Sequence, residues 1–356
     1  MVRSAIFIEP NQPLQIREYP TPSLESGAIL AKVRLATICG SDLHTLLGRR
    51  GADAPSILGH EIVGEIVQMG AKTVAGINGE TLSIGDRITW GLTTSCGDCE
   101  FCVERDLSQK CIHSFKYGHA NSEARPHLNG GFAQHLYLRP GSTILRLPDN
   151  ITDAEAAPIN CALATIMQAV DRIQLKNGER ALVQGAGMLG IYACAVLSKA
   201  GCSDIIVTDF NTKRLAIAEK FGATRTIALQ EADLAALADE LKVDIVIEVC
   251  GVPSCVAFGI DALQIGGRYI LAGLVYPDAN FTVDGAKIVR KMLTLHGIHN
   301  YQPKHLLQAV DFVSRYRLEF PFEELVSEYY SLDEINTAFA VAQSGKVIRV
   351  AIMPNS

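Results

Sequence analysis

Four cysteines fall within sixteen residues, in Cys96-Gly97-Asp98-Cys99-Glu100-Phe101-Cys102 and at Cys111. Thiolates at this density can close a tetrahedral shell around zinc with no position left for water, as in a structural site. The binding energy of that metal would fasten a loop with little hydrophobic core of its own. A second set is dispersed: Cys39 in Cys39-Gly40-Ser41-Asp42-Leu43-His44, His60 in Gly59-His60-Glu61, and Cys161 in Asn160-Cys161-Ala162. Two thiolates and an imidazole make a catalytic-type shell whose fourth position is open to water or substrate. Spacing leaves alternatives for each residue alone. Taken singly, His60 reads better as a buried, hydrogen-bonded histidine and Cys161 as a core residue at a helix start.

A third feature suits phosphate. Gly185-Ala186-Gly187-Met188-Leu189-Gly190 is GxGxxG, and it follows a predicted strand and opens a predicted helix. The first glycine permits the tight turn, the second lets backbone approach a pyrophosphate, and the third allows helix to pack closely on strand. The helix N-terminus adds unpaired N–H groups and a partial positive charge. Asp209 ends the next predicted strand, where a carboxylate can accept from a ribose and repel a 2′-phosphate, which favours NAD over NADP. Lys213 and Arg214 lie close by, and Arg214 joins the candidate cofactor contacts with Gly185, Gly187, Met188, Leu189, Gly190 and Asp209.

The elements that must position these groups fall into two textures. The first 155 or so residues are rich in short strand-like runs, such as Ile29-Leu30-Ala31-Lys32-Val33-Arg34-Leu35 and the Glu61–Val67 run, broken by Gly, Pro and Asp. From about 180 to 296, apolar runs at 181–184, 204–208, 243–248 and 268–272 alternate with amphipathic helical patterns, which predicts βαβ units and a parallel sheet. A helical stretch over 303–315 and a strand-like tail over 347–352 follow. The 356 residues are too many for one ordinary core, and 48% hydrophobic with 20% charged residues fits a globular chain. The net charge of −6 gives no basic field for nucleic acid. No uncharged apolar run approaches the roughly 20 residues of a membrane helix, and the N-terminus has no signal-like cleavage site, so a cytoplasmic location is expected. Cys194, Cys202, Cys250 and Cys255 lie in apolar stretches and are expected to be small core residues.

Taken together, these motifs resemble the zinc-dependent alcohol dehydrogenases of the medium-chain dehydrogenase/reductase superfamily. The resemblance covers essentially the whole chain. It rests on the Cys39 segment, Gly59-His60-Glu61-Ile62-Val63-Gly64-Glu65-Ile66-Val67, the Cys96 cluster, Cys161, the glycine-rich turn and Ser344-Gly345-Lys346-Val347-Ile348-Arg349. It implies an α/β protein with a GroES-like β-barrel catalytic domain over 1–155, a Rossmann NAD-binding domain with a doubly wound parallel sheet over 156–298, and a return to the catalytic domain over 299–356. It implies two zinc ions per chain. Cys39, His60 and Cys161 would hold the catalytic one, and Cys96, Cys99, Cys102 and Cys111 the structural one. Ser41 would take the alcohol proton and His44 relay it to solvent. Asp42 and Glu61 would support the metal site, one orienting His60 and one behind the metal. Arg349 would pair with the cofactor pyrophosphate. Cys111 follows Cys102 after eight residues where the family usually has seven, with no glycine in the gap, so a small bulge is expected there.

Ser114-Phe115-Lys116-Tyr117-Gly118-His119 and the His299–Leu306 segment resemble a subgroup associated with phosphonate catabolism. That implies an anionic alcohol, with Arg49, Arg50, Lys116 and His119 as the nearby cationic groups. Trp90 and Leu92 are candidates for the apolar pocket wall or for core. The alternatives are a zinc-free quinone or enone reductase of the same superfamily and a non-catalytic NAD-binding protein. Cys39, His60 and Cys161 argue against the first, Ser41 and His44 against the second. By analogy, a homodimer or homotetramer would form at the sheet edge, expected at residues 268–282.

Overall fold

The computed structural model describes residues 1–230 and 232–356. Its chain divides into two compact units, Met1–Ala164 with Asn300–Ser356, and Thr165–His299. The crossing lies at 164/165, past the change of texture near 155, because the turn that carries Cys161 still belongs to the first unit.

In the first unit the strand Ile29–Thr37 is the organiser. It pairs antiparallel with Glu61–Met69, His135–Leu138 and Arg349–Met353, and only Lys32 and Arg34 along it face solvent. The sheet continues from Glu61–Met69 to Arg87–Trp90 and Ile144–Arg146, and from Arg349–Met353 to the parallel edge strand Val326–Ser331. A smaller sheet orders Gln15–Tyr19, Val2–Phe7 and Ser56–Ile57. Trp90 is fully buried over Gly64, where an added Cβ would lie 3.0 Å from the indole, so its ring is core and not pocket wall. The helix Pro303–Tyr316 starts with proline at its first turn and buries Leu306, Ala309, Val310 and Val313 at helical spacing.

The second unit holds one six-stranded parallel sheet, ordered Arg225–Ala228, Asp204–Asp209, Arg180–Gln184, Val243–Glu248, Leu263–Leu271, Thr294–Gly297. In chain order this is 3-2-1-4-5-6, with the topological switch between Arg180–Gln184 and Val243–Glu248. All four runs expected as strands form strands. The two edge strands escaped the sequence reading because each is four residues long with little apolar content. The sheet therefore ends at Thr294–Gly297, not within 268–282. Among the described residues no helix is long and apolar enough to cross a membrane.

The glycine-rich turn is fixed by space. Gly185 has φ +107°, and a Cβ on it would meet Cys250 at 2.9 Å. A Cβ on Gly190 would lie 1.8 Å from the Gly185 carbonyl oxygen, whereas Gly187 has nothing within 4 Å. Gly190→Ala is therefore expected to lower the stability of this unit by about 1–3 kcal/mol through overpacking. Gly187→Ala should leave it within about 0.5 kcal/mol of the parent. Urea unfolding followed by circular dichroism would check the pair, and equal losses for both would refute the packing argument.

Candidate active site

Cys39 caps the short helix Gly40–Leu46. His60 follows Gly59, whose φ of +86° and approach to the Phe132 ring (2.8 Å from an added Cβ) admit no other residue without strain. Cys161 sits in a π-helical turn, Ile159–Leu163, of the kind that often marks a functional position. The ligand atoms of Cys39, His60, Cys161 and Glu61 all lie within 4.8 Å of one another. Three distant segments thus bring two sulfurs, an imidazole and a carboxylate to one point. The donor set fits a catalytic-type zinc site.

Asp42 ties two of these segments together. Its Oδ2 accepts from the Cys39 N–H at 2.9 Å and its Oδ1 from the Gly59 N–H at 3.2 Å, and Oδ1 lies 3.4 Å from His60 Nδ1. Nδ1 therefore faces the carboxylate, and Nε2 faces the cluster, 3.2 Å from the Ser41 hydroxyl. Burial opposes charge on His60, but Asp42 and Cys39 outweigh it and hold its imidazolium up to about 10. The field that favours a proton on that ring favours a metal cation in its place, so the two compete. Cys39 is driven well toward its thiolate by the hydrogen bond from Cys161, helped by Arg349 and His60.

Two further residues, missed in the sequence, support the Cys161 turn. Asn160 Nδ2 donates to the carbonyls of His60 (3.0 Å) and Trp90 (2.8 Å), and the Tyr301 hydroxyl donates to the Asn160 carbonyl. An amide beside a candidate ligand was the signal for the first; Tyr301 was marked only as part of the His299–Leu306 segment, with no role of its own.

The four cysteines of the 96–111 loop lie together. Their sulfur separations are 3.4 Å (Cys96–Cys111), 3.5 Å (Cys99–Cys102), 3.9 Å (Cys99–Cys111) and 4.0 Å (Cys96–Cys102). A zinc tetrahedron with bonds of about 2.3 Å has sulfur edges of about 3.8 Å. The Cys111 sulfur also accepts from the N–H groups of Cys96 and His113, both at 3.3 Å. The extra residue in this loop is absorbed at Asp106, which takes the left-handed conformation (φ +51°) in a stretch with no glycine. Gln302 donates to its carbonyl and holds the turn.

In the second unit Asp209 serves the turn directly, its Oδ2 accepting from the Ala186 N–H and its Oδ1 from the Asn211 N–H, both at 2.7 Å. Met188 and Leu189 open the helix Met188–Lys199 behind Gly187. Arg214 lies in the first turn of the helix Thr212–Lys220, its N–H bonded to the capping Asn211.

Comparison with known proteins gives two family matches. Residues 25–149 match the alcohol dehydrogenase GroES-like domain, and residues 189–315 match the zinc-binding dehydrogenase family. The chain is 31% identical to a sorbitol dehydrogenase of Halalkalibacterium halodurans, covering 95% of each, and 30% identical to an L-threonine 3-dehydrogenase of Shewanella pealeana, covering 96% and 97%. A solved alcohol dehydrogenase from Thermotoga maritima superposes with a TM-score of 0.94 at 27% identity, over 99% of both chains. The chain belongs to the zinc-binding alcohol dehydrogenases. The likeness to the phosphonate-associated subgroup finds no support in these relatives.

For a zinc-binding alcohol dehydrogenase, one arginine is unexpectedly placed. Arg349, anticipated at the cofactor pyrophosphate, is buried on Glu61, with Nε to Oε2 at 2.9 Å and Nη2 to Oε1 at 3.0 Å. Its Nη1 bonds the Ile348 carbonyl and its Nη2 lies 3.8 Å from the Cys39 sulfur. The reason is charge burial: Glu61 is fully enclosed beside two thiols, and this fork supplies the counter-charge it needs. Thr37 donates a further bond to Glu61 at 2.5 Å. Burial pushes the Glu61 carboxyl up to about 7, against the pull of Arg349.

Of the groups expected as cations near the substrate, His119 is not one, because burial, then His60, lowers it to about 2 and leaves its ring neutral. The His119 ring lies 5.2 Å from that of His60, with Nδ1 on the Tyr117 carbonyl at 3.0 Å. Burial, then Arg50, lowers Lys116 to about 8. Arg49 and Arg50 both donate their N–H groups to the His44 carbonyl; Arg49 is exposed and Arg50 half-buried.

Arg349→Met would leave Glu61 a buried, unpaired carboxylate and is expected to cost the dehydrogenase about 3–5 kcal/mol. Adding Glu61→Gln to that variant should recover part of the loss. Denaturant unfolding of the zinc-loaded proteins would measure both, and an Arg349→Met variant as stable as the parent would show that the pair contributes nothing.

Proposed function

We propose that this enzyme oxidises a small alcohol with NAD at a zinc ion held by Cys39, His60 and Cys161. The observation that carries the reading is the convergence of these ligands with the Ser41 hydroxyl 3.2 Å from the metal-facing nitrogen of His60. Zinc bound there lowers the pKa of an alcohol and polarises a carbonyl, so it serves both directions of the reaction. Ser41 is placed to take the hydroxyl proton, and His44, three residues on along the same helix face, to pass it outward. Asp42 keeps the His60 tautomer with Nε2 free. Glu61 adds negative charge behind the ligands, and Arg349 limits it. The Cys96, Cys99, Cys102 and Cys111 cluster takes a second, structural zinc.

NAD is favoured over NADP by the Asp209 carboxylate beside the turn and by the open space at Gly187. Arg214 and Arg349 are kept as candidate cofactor contacts, although Arg349 is buried with its Nη1 on the Ile348 carbonyl. The enzyme works in the cytoplasm as a homodimer or homotetramer, and the exposed edge strand Thr294–Gly297 is the element suited to pairing across a two-fold axis. The alcohol carries an anionic group. Lys116 has no carboxylate partner among the described residues, and Arg50 adds positive charge beside it.

Metal analysis combined with turnover of an alcohol panel tests the assignment. Two zinc ions per chain with NAD-linked turnover is the expected result, and cofactor binding without zinc or turnover would defeat it. Replacing Arg49 and Arg50 by Ala should raise KM for carboxylate- or phosphonate-bearing alcohols and spare neutral ones. Equal losses on both would remove the anionic substrate.

Burial, helped by Arg49 and Arg50, holds His44 below its ordinary value of 6.5. Only neutral imidazole accepts a proton, so alcohol oxidation limited by the relay should rise with pH up to a point below 6.5 and then level off. In His44→Gln that inflection should vanish and the plateau fall by roughly 10- to 100-fold. An unchanged pH–rate profile in the variant would exclude His44 from the relay.

A further inference from the structure

Outside both metal clusters one pair of nucleophiles stands out. Cys250 follows the strand Val243–Glu248 and Cys255 opens the helix Cys255–Ala262, and their sulfurs are 3.3 Å apart. Neither is the enclosed core residue anticipated from the sequence, since Cys250 is exposed and Cys255 half-buried. The loop between them is clamped. Glu248 accepts from the N–H groups of Gly251 (2.6 Å) and Gly273 (3.0 Å), and the Tyr276 hydroxyl donates to the Gly251 carbonyl at 2.9 Å. Gln184 donates to the Cys255 carbonyl at 2.9 Å. The sulfurs are therefore held together by backbone anchors.

We infer that Cys250 and Cys255 are a modification site, a dithiol that closes reversibly to an intramolecular disulfide beside the nucleotide turn. A metal is the competing occupant, because a Glu248 oxygen lies within 4.8 Å of both sulfurs. Both Glu248 oxygens, however, already serve backbone N–H groups in a fully buried position, which leaves two free donors.

The oxidant is a low-molecular-weight disulfide. The exposed Cys250 gives up its proton and attacks one sulfur of that disulfide, breaking its S–S bond and expelling one thiolate. Cys255 then attacks Cys250 in the mixed disulfide and expels the second. The two cysteines lose two protons and two electrons, and the small disulfide is reduced to two thiols.

The position gives closure a consequence. Cys250 and Gly185 follow the two strands that flank the topological switch, where this sheet type binds its ligand. Cys250 also packs so closely on Gly185 that an added Cβ would lie 2.9 Å from the Cys250 Cβ and 3.0 Å from its Cα. Shortening the sulfur separation to about 2.05 Å must shift the 251–254 loop or the turn. The linkage rests on this geometry alone, whereas its effect on NADH rests on the proposed nucleotide role of the turn.

The test uses the full zinc-loaded chain equilibrated with oxidised glutathione, alkylated and mapped by peptide mass spectrometry, with zinc measured in parallel. A Cys250–Cys255 link that forms with both metal clusters loaded and is reversed by dithiothreitol supports the proposal. Cys255→Ser should instead retain a glutathione adduct on Cys250. Separate alkylation of the two cysteines at excess glutathione disulfide would overturn it. So would a link seen only after zinc is lost, or an added equivalent of zinc that disappears in Cys255→Ser. Fluorescence titration should show NADH binding roughly tenfold weaker in the linked form, about 1.4 kcal/mol. If the reduced enzyme does not bind NADH, the nucleotide reading fails while the peptide map still decides the linkage.

Discussion

The active site depends on one buried carboxylate. Asp42 accepts from the backbone of Cys39 and of Gly59 and faces the ring of His60, so it fixes the start of a helix, the entry to a strand and an imidazole tautomer together. Without it, the N–H groups of Cys39 and Gly59 would be unsatisfied in the interior, and the His60 ring would be free to turn. The π-helical turn brings Cys161 to the same point. It in turn hangs on Asn160, whose amide reaches the carbonyls of His60 and Trp90.

Around this frame the electrostatics alternate in sign. Asp42, Cys39 and Glu61 make the centre attractive to a cation, and Arg349 sets a limit on that attraction by neutralising Glu61. Outside them Arg50 and Lys116 turn the sign again. A metal ion thus has a negative cage, and an anionic substrate group would meet a positive rim. The second unit uses the opposite device at its turn, with open backbone and a single carboxylate, Asp209, bonded to the turn itself.

Much of this was legible in the sequence because the chemistry is carried by rare residues in short motifs. The Cys96–Cys102 spacing, the GxGxxG turn after an apolar run and the alternation of strands and helices each have one economical physical explanation. The dispersed ligands were harder, because nothing local to Cys161 or His60 says that residues a hundred positions apart meet; resemblance supplied that. What stayed hidden has a common cause. Asn160, Tyr301 and the Glu61–Arg349 pair act through contacts set only by tertiary packing. Likewise the edge strands Arg225–Ala228 and Thr294–Gly297 are strands through their neighbours' hydrogen bonds, not through their own pattern. The missing loop glycine was met by Asp106, a substitution that a glycine rule alone does not anticipate.

The insertion of the Thr165–His299 unit within the other has a bearing on synthesis. Cys39, His60 and Cys161 leave the ribosome before that insert, but the strand Arg349–Met353, which completes the sheet beside Ile29–Thr37, leaves it after. Glu61 therefore waits for its guanidinium partner through the translation of some 190 further residues after Cys161. During that interval the nascent first unit carries Cys39, His60, Glu61 and Cys161 without the guanidinium that lies on Glu61 in the finished fold. A cation taken up at that stage would stand in for Arg349, linking metal supply to the order in which the chain assembles.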